Sequence, residues 1–422
     1  MNDDHYGTDG SEATMNDEYG ALLLAPLRIE PSGPPAIDVG RAMLQGGRMR
    51  RRRWWFGGGF LAAAGAALLT GGILLAPAAQ DHRKPLVALP PDPPMPTSCT
   101  VSRLDLGGHH SGEMMAGDHT GHWHVGTADP GPDKANSVLV WHDGKLVDEV
   151  PAPSKTAREF ALVDVNASGV AVGAANSSRD PAYAYENGKL IPLKGGNGAE
   201  AVGINDDGVI AGTIKVGGRS VAVRWRSIDA EPEVLPAPPG KDIHRVWGIS
   251  QDGTIVGEIG YGGYLWFTDG TGRRIVPPAD SGSRPSTGPG GEPFPTALSK
   301  QFMPNGFAFG WVYGTTINDS PGGLYRYHPA SDTWQLVARD TSPAQLDPGG
   351  RTGMMSVSQD DPAVYVGRAV LKLPHFDELS RAGLDSISIN AVSDDAHVIG
   401  GTAISGRADT SKPFAPVIYR CR

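Results

Sequence analysis

A short pattern recurs along residues 119–400 and constrains the fold more than any other feature. Its clearest copy is Val202–Gly212: an apolar run, Asn205, two polar residues, Gly208, and an alternating run that ends in Gly212. Asn or Ser can begin a turn by bonding to its own backbone, and Gly supplies the positive φ at its end. Each copy therefore predicts a β-hairpin. The seven copies begin near residues 119, 163, 202, 247, 303, 357 and 392, and the last two match least closely.

A third and a fourth strand are predicted after most hairpins. The third carries an aromatic residue, as in Val221–Trp225, and the fourth is short, as in Glu233–Pro236. Four antiparallel strands in a unit of roughly 35–55 residues are typical of a propeller blade. The predicted fold is therefore all-β, a β-propeller of about seven four-stranded blades, with six or eight also possible.

The repeats resemble the bacterial extracellular repeats named for a His-Ala-Phe triplet (HAF repeats). Asn205, Gly208, Gly212 and Trp225 carry the resemblance, and Val221–Val223 stands where the triplet would be. The resemblance covers residues 117–421. It implies an exported domain of propeller-like repeats without catalytic residues.

The two cysteines lie at opposite ends of the repeat region. The last copy supplies a third strand, Ala415–Cys421, but no fourth strand, and Cys99–Leu104 reads as the missing one. A ring closed by the two ends would bring Cys99 and Cys421 within bonding distance. We therefore predict a disulfide between them, as suits an oxidising exterior.

An uncharged segment, residues 54–79, precedes the repeats. Its apolar part, Trp54–Ala76, would span about 34 Å as a helix, enough to cross a bilayer. Arg48 and the run 50–53 come directly before it, which predicts a cytoplasmic N-terminus and an exported C-terminal domain. The alternative is a cleaved signal over residues 49–79, of twin-arginine type, cut after Ala76-Pro77-Ala78.

The predicted domains are a largely disordered cytoplasmic tail (1–53), a transmembrane helix (54–79), a Pro-rich linker (80–98) and an extracellular repeat domain (99–422). Stretches with apolar residues at 21–27 and 36–44 suggest that the tail binds a cytoplasmic protein, and a disordered tether is the alternative. The tail resembles those of single-pass proteins of high-GC Gram-positive bacteria, some of which restrain a sigma factor. That resemblance implies a sigma factor as one possible partner.

Histidines are concentrated in residues 109–142. His119, His122 and His124 surround one predicted turn, and the latter two would share a strand face. Such a set could bind Zn²⁺ or copper. Polar residues at a turn are the simpler interpretation, so we predict that these histidines bind a transition metal weakly or not at all, and we predict no cofactor.

These features predict a membrane-anchored extracellular binding or sensing protein with an unknown ligand. An exported hydrolase or lyase is one alternative, which an acidic pair lining the central channel would favour, and a structural envelope protein is another. No catalytic motif occurs. The net charge of −9 argues against nucleic acid as a partner.

Overall fold

The structure is a computed structural model, and the part of the chain that it describes begins at residue 89. The described ranges are 89–129, 135–153, 160–175, 180–238, 244–259, 262–276, 278, 296–302, 306–312, 323–338, 362–377, 384, 386–404 and 413–422. The chain divides into two units, Met1–Asp81 and His82–Arg422, and every described residue belongs to the second. The predicted tail and transmembrane helix lie outside the described residues. Within those residues, no helix is long and apolar enough to cross a bilayer.

The described residues form antiparallel sheets, which confirms the all-β prediction. Five sheets are consecutive four-stranded meanders. Their strands are β2–β5 (Ser111–Gly117, Trp123–Asp129, Ser137–His142, Lys145–Pro151); β6–β9 (Phe160–Val165, Ala171–Ala175, Ala182–Glu186, Lys189–Pro192); β10–β13 (Glu200–Ile204, Ile210–Val216, Arg219–Trp225, Glu233–Val234); β14–β17 (His244–Ile249, Ile255–Ile259, Gly262–Trp266, Gly272–Arg274); and β18–β21 (Thr296–Phe302, Ala308–Val312, Gly323–His328, Thr333–Ala338). A two-stranded sheet follows, β22 (Ala363–Val366) and β23 (Ala369–Lys372).

The two ends of the repeat region complete one further sheet. Strands β24 (Ser386–Val392), β25 (Val398–Ile404) and β26 (Ala415–Cys421) take β1 (Cys99–Arg103) as their fourth strand. Cys99 pairs with Cys421 in the β1–β26 register, and a disulfide joins the two residues across a sequence separation of 322. Both the predicted strand exchange and the predicted disulfide are confirmed.

The sheets succeed one another around a ring, as in a β-propeller. The first strands of successive sheets contact each other from β2 to β18, and β2 also contacts β24, so the first strands lie innermost. One buried cluster joins Leu324, Val364, Ile387 and Val417, which connects the fifth sheet, the β22–β23 sheet and the closing sheet. We call β1–β26 the ring domain.

The predicted third-strand aromatics fill the spaces between the sheets. Trp141, Trp225 and Trp266 are almost completely buried. Each indole Nε1 donates a hydrogen bond to a backbone carbonyl of the segment before its own sheet, at 2.6–2.8 Å, for example from Trp225 to Lys194. These residues therefore pack adjacent blades together and also satisfy their one polar group.

The last position of the repeat pattern is glycine for a steric reason. Gly212 on β11 lies opposite a β-bulge in β10, between Ala201 and Gly203. The bulge brings the carbonyl oxygen of Glu200 so close that any Cβ at position 212 would collide with it. Gly173 and Gly257 meet the same obstacle in their own sheets. The pattern thus encodes a bulge as well as a turn.

The described part of the predicted linker, residues 89–98, packs against the ring domain. Asp92 forms an ion pair with Arg326, whose side chain is 3% exposed. Arg326 also hydrogen-bonds to Gln335 and lies over the ring of Phe307. These ten residues are therefore part of the folded unit.

Candidate ligand-binding site

The turns between the first and second strands form a connected group, which we call the turn ring. Its members are residues 118–122, 166–169, 205–208, 250–253 and 393–396. As predicted, the first residue of each turn caps it: Asn205 Oδ1 accepts a hydrogen bond from the amide of Val209 at 2.9 Å, and Gly208 has a φ of 76°. Asp118 takes this role in the first sheet, where Oδ1 accepts from the amide of Trp123 at 2.6 Å.

The capping residues also link neighbouring sheets. Asn166 donates from Nδ2 to the carbonyl of Asn205 at 3.0 Å, and Asn205 donates in the same way to Gln251 at 3.5 Å. The amide of Asp394 donates to the carbonyl of His119 at 2.7 Å. The turns therefore hold one another in place around the inner end of the sheets.

The second residue of each turn supplies the central constellation. His119 Nε2 lies 2.8 Å from Asp206 Oδ2, and His119 Nδ1 lies 2.9 Å from Asp394 Oδ2. The imidazole thus joins the first, third and closing sheets. The second sheet has Ala167 at this position, whose side chain is a single methyl group, and its amide donates to Asp206 Oδ1 at 3.0 Å.

The electrostatics of this constellation favour a charged imidazole. Burial lowers the pKa of His119, but the hydrogen bonds to Asp206 and Asp394 outweigh burial and raise that pKa above its ordinary value. Burial raises the pKa of Asp394, and the attraction of His119 offsets only part of the effect. A carboxylate only accepts hydrogen bonds, so both ring nitrogens are best matched when both donate.

The remaining carboxylates of the turn ring differ in availability. Burial acts to raise the pKa of Asp252 and Asp395, but hydrogen bonds within their own turns outweigh it and lower both pKa values. Asp207 is exposed and has no hydrogen-bond or ion-pair partner within the described part of the chain. These five described turns contain no Lys or Arg. This face can therefore attract a cationic group, and Asp207 is free to bind one.

The structure does not bring the three predicted histidines to one point. His119 belongs to the constellation with Asp206 and Asp394. His122 points to Asp143, with 2.6 Å between Nδ1 and Oδ1, and its side chain is 61% exposed. That hydrogen bond raises the pKa of His122 and lowers the pKa of Asp143.

His124 lies in the interior. It is 1% exposed, and a Cβ at Gly117 or Gly400 would meet its Cδ2 atom. Its Nδ1 has no hydrogen-bond partner among the described residues. Burial lowers the pKa of His124 to about 4, so the ring is neutral at neutral pH. The expectation that His122 and His124 share a strand face is wrong, because β3 begins only at Trp123.

The His119 constellation has a signal in the sequence that no single motif contains, because it appears only when the repeats are compared. His119, Asp206 and Asp394 each follow the capping residue of their turn, so an alignment of the repeats puts them in one column. When repeats close into a ring, residues at the same position of each repeat lie at the same level along the axis of the ring.

Comparisons with known proteins give fold likenesses only. No protein-family profile and no curated sequence matches the chain. It is similar to a solved structure of virginiamycin B lyase from Staphylococcus aureus, with 11% identity and a TM-score of 0.45 over 77% of this chain and 100% of that chain. It is also similar to the Cps50 (Swd1) β-propeller domain from Myceliophthora thermophila, with 9% identity and a TM-score of 0.42 over 76% of this chain and 100% of that chain. A gluconolactonase from Xanthomonas campestris is a third similar structure, with 11% identity and a TM-score of 0.37 over 80% of this chain and 99% of that chain. At these identities and TM-scores, the likenesses say nothing about activity.

Proposed function

We propose that this chain is a membrane-anchored extracellular binding protein whose ligand carries positive charge and docks on the turn ring. The observation that carries the proposal is the acidic, mutually hydrogen-bonded set of turns around His119, which contains no Lys or Arg in the turns described above. Because the turns are fixed by bonds between sheets, little ordering is needed on binding. Asp207 provides an exposed carboxylate in this set.

A charge-matched pair of variants tests the ligand class. Full-length protein in detergent is titrated with hexalysine, hexaserine and hexaglutamate, and binding is followed by thermophoresis at two salt concentrations. Hexalysine should bind best, and less tightly in high salt. Asp207→Asn should weaken binding by about two- to fivefold, because one exposed charge pair is lost.

Glu200→Gln is the matched control. Glu200 is also exposed and lies on the same sheet, but it begins β10, at the end away from the turn ring. Equal binding of the three peptides, or an equal loss in both variants, would contradict the proposed site.

Export and anchoring form the second part of the proposal. The Cys99–Cys421 disulfide supports a domain outside the cytoplasm, since such bonds persist in oxidising compartments. Residues 54–79 would anchor the chain, with residues 1–53 inside. Reporter fusions at residue 45 and at the C-terminus should show opposite sides of the membrane. A mature N-terminus near Ala79 would replace the anchor with a cleaved signal.

A cytoplasmic partner for the tail would make the protein a sensor. The stretches with apolar residues at 21–27 and 36–44 support this part of the proposal, and a sigma factor is the partner that the tail's resemblance suggests. Affinity capture with residues 1–47, compared with a version that carries Ser at the apolar positions, should recover one soluble protein only with the native tail. Recovery of the same proteins with both versions would count against signalling.

A seventh blade is also proposed. The two-stranded sheet β22–β23 would be its outer half, because it packs between the fifth and the closing sheets. The hairpin predicted at 357–361 would supply the inner half and lies outside the described residues. Hydrogen exchange should show slow amides at 353–361, and fast exchange there would contradict a complete blade.

An exported hydrolase or lyase is the second candidate. Asp206 and Asp394 are two carboxylates bonded to one imidazole, and an acidic pair of this kind would favour an enzyme if it lined the central channel. It ranks behind binding because both nitrogens of His119 are already bonded to carboxylates, which leaves the ring no free lone pair to act as a base. Release of product from a panel of glycosides and lactones, lost in Asp206→Asn, would reverse this ranking.

A further inference from the structure

Two histidines and an aspartate converge in the first sheet, where His122 of the turn ring meets the turn between β4 and β5. His122 Nδ1 lies 2.6 Å from Asp143 Oδ1, and His142 Nε2 lies 3.9 Å from Asp143 Oδ2. One ligand atom from each of the three residues lies within 4.8 Å of the other two. The side chains are 61%, 42% and 54% exposed, so an ion can reach all three from solvent.

The backbone and one aromatic ring fix this arrangement. The amide of Asp143 donates to the carbonyl of His122 at 2.8 Å, which ties two of the three residues together. Asp143 and Gly144 both have positive φ, at 51° and 78°, and form the tight two-residue turn between β4 and β5. The ring of His142 packs on Trp123, with 4.2 Å between centroids.

We propose that His122, His142 and Asp143 form a binding site for a borderline divalent cation of the Zn²⁺ class. Two imidazoles and one carboxylate are a common ligand set for Zn²⁺, and three protein ligands leave a fourth position for water or for a donor atom of a ligand. To reach metal–ligand bond lengths of about 2.0–2.2 Å, the side chains of His122 and Asp143 need only move apart, and those of His142 and Asp143 need only move closer. Their exposure leaves room for that movement.

The chemistry of the donors selects the ion. Ca²⁺ and Mg²⁺ prefer six or more oxygen ligands, whereas this set offers two nitrogens and one carboxylate. Arg420 lies beside Asp143, and its guanidinium donates to the carbonyl of Asp143 at 2.8 Å rather than to the carboxylate. The Asp143 side chain thus stays available. The inference goes beyond the proposed function and does not rest on it.

Metal titrations of the full chain test the site. Chelator-treated protein in detergent is titrated with Zn²⁺ by calorimetry. The triple variant His122→Ala/His142→Ala/Asp143→Asn is the control that measures Zn²⁺ bound by histidines outside the proposed site. Wild type should bind one more Zn²⁺ than the triple variant. His142→Ala alone should weaken that event by about tenfold or more, since changes even outside the ligand shell cost that much. Ca²⁺ should show no difference between the two proteins.

Two further variants separate this site from the His119 constellation. His119→Ala removes an imidazole from the turn ring and should leave Zn²⁺ affinity unchanged. Asp143→Asn keeps the size of the side chain and a residue that tolerates positive φ, so it should fold as wild type by circular dichroism and still lose affinity. Co²⁺ should give visible absorption in wild type that is lost in Asp143→Asn.

Equal Zn²⁺ stoichiometry in wild type and the triple variant would overturn the proposal. So would a loss of binding in His119→Ala with full binding in His142→Ala, since that result would move the metal to the His119 constellation.

Discussion

The buried imidazole of His124 should make the ring domain less stable in mild acid. The ring is 1% exposed, and its Nδ1 has no partner among the described residues. Burial lowers the folded-state pKa to about 4, whereas an unfolded chain would titrate near the ordinary value of 6.5. Between these two values the unfolded state binds more protons, so stability falls as the pH falls from about 6.5 to about 4.

The size of the loss follows from the two pKa values. Lowering the pH from about 7 to about 4.5 should cost about 2 kcal/mol of unfolding free energy through this residue alone. His119 and His122 act in the opposite direction, because their folded-state pKa values are raised. Wild type and a His124 variant both contain His119 and His122, so the contribution of those two residues cancels when the stabilities of the two proteins are compared.

The assay compares wild type with His124→Leu by urea unfolding at both pH values, with the disulfide intact. Leucine does not titrate and leaves no unpaired nitrogen in the core. The stability lost on acidification should be about 2 kcal/mol larger in wild type than in the variant. An equal loss in both proteins would refute the reasoning and would mean that His124 is solvated or protonated in the folded state.

Three further changes probe closure and packing. Replacing both Cys99 and Cys421 with Ser should lower the unfolding free energy by up to roughly 5–6 kcal/mol in the chain-entropy treatment and speed amide exchange in β1 and β26; unchanged exchange would argue against closure by the disulfide. Gly212→Ala should cost about 2 kcal/mol in urea unfolding, because a Cβ collides with a backbone oxygen; a neutral result would show that the bulge can open. Asp92→Ala should cost about 3 kcal/mol by leaving buried Arg326 unpaired, whereas Asp92→Ala/Arg326→Met should recover much of that loss.

Local rules were enough to predict much of the fold. The hairpin at 205–208, the buried Trp225 and the exchange of β1 into the closing sheet all follow from turn chemistry, strand alternation and the positions of the cysteines. These features depend on residues near in sequence or on the two ends of one region. The pattern also placed short fourth strands, such as Glu233–Val234.

The site could not be predicted in the same way. His119 meets Asp206 only because the ring brings the first and third sheets together and because Ala167 is small. His122 and His124 separate because β3 begins between them, so one faces solvent and the other the core. Such contacts depend on the curvature of the closed ring, which no single repeat specifies.

The pairing of β1 with β26 also means that β1 must wait for its partner strand during biosynthesis. The two strands that form this ladder are separated by 322 residues, which at about 5–20 residues per second take a ribosome about 15–60 s to make. During that interval β1 has an open hydrogen-bonding edge and Cys99 has a free thiol. A holdase chaperone or a thiol oxidoreductase that acts on the nascent chain would therefore have its longest opportunity at this N-terminal strand.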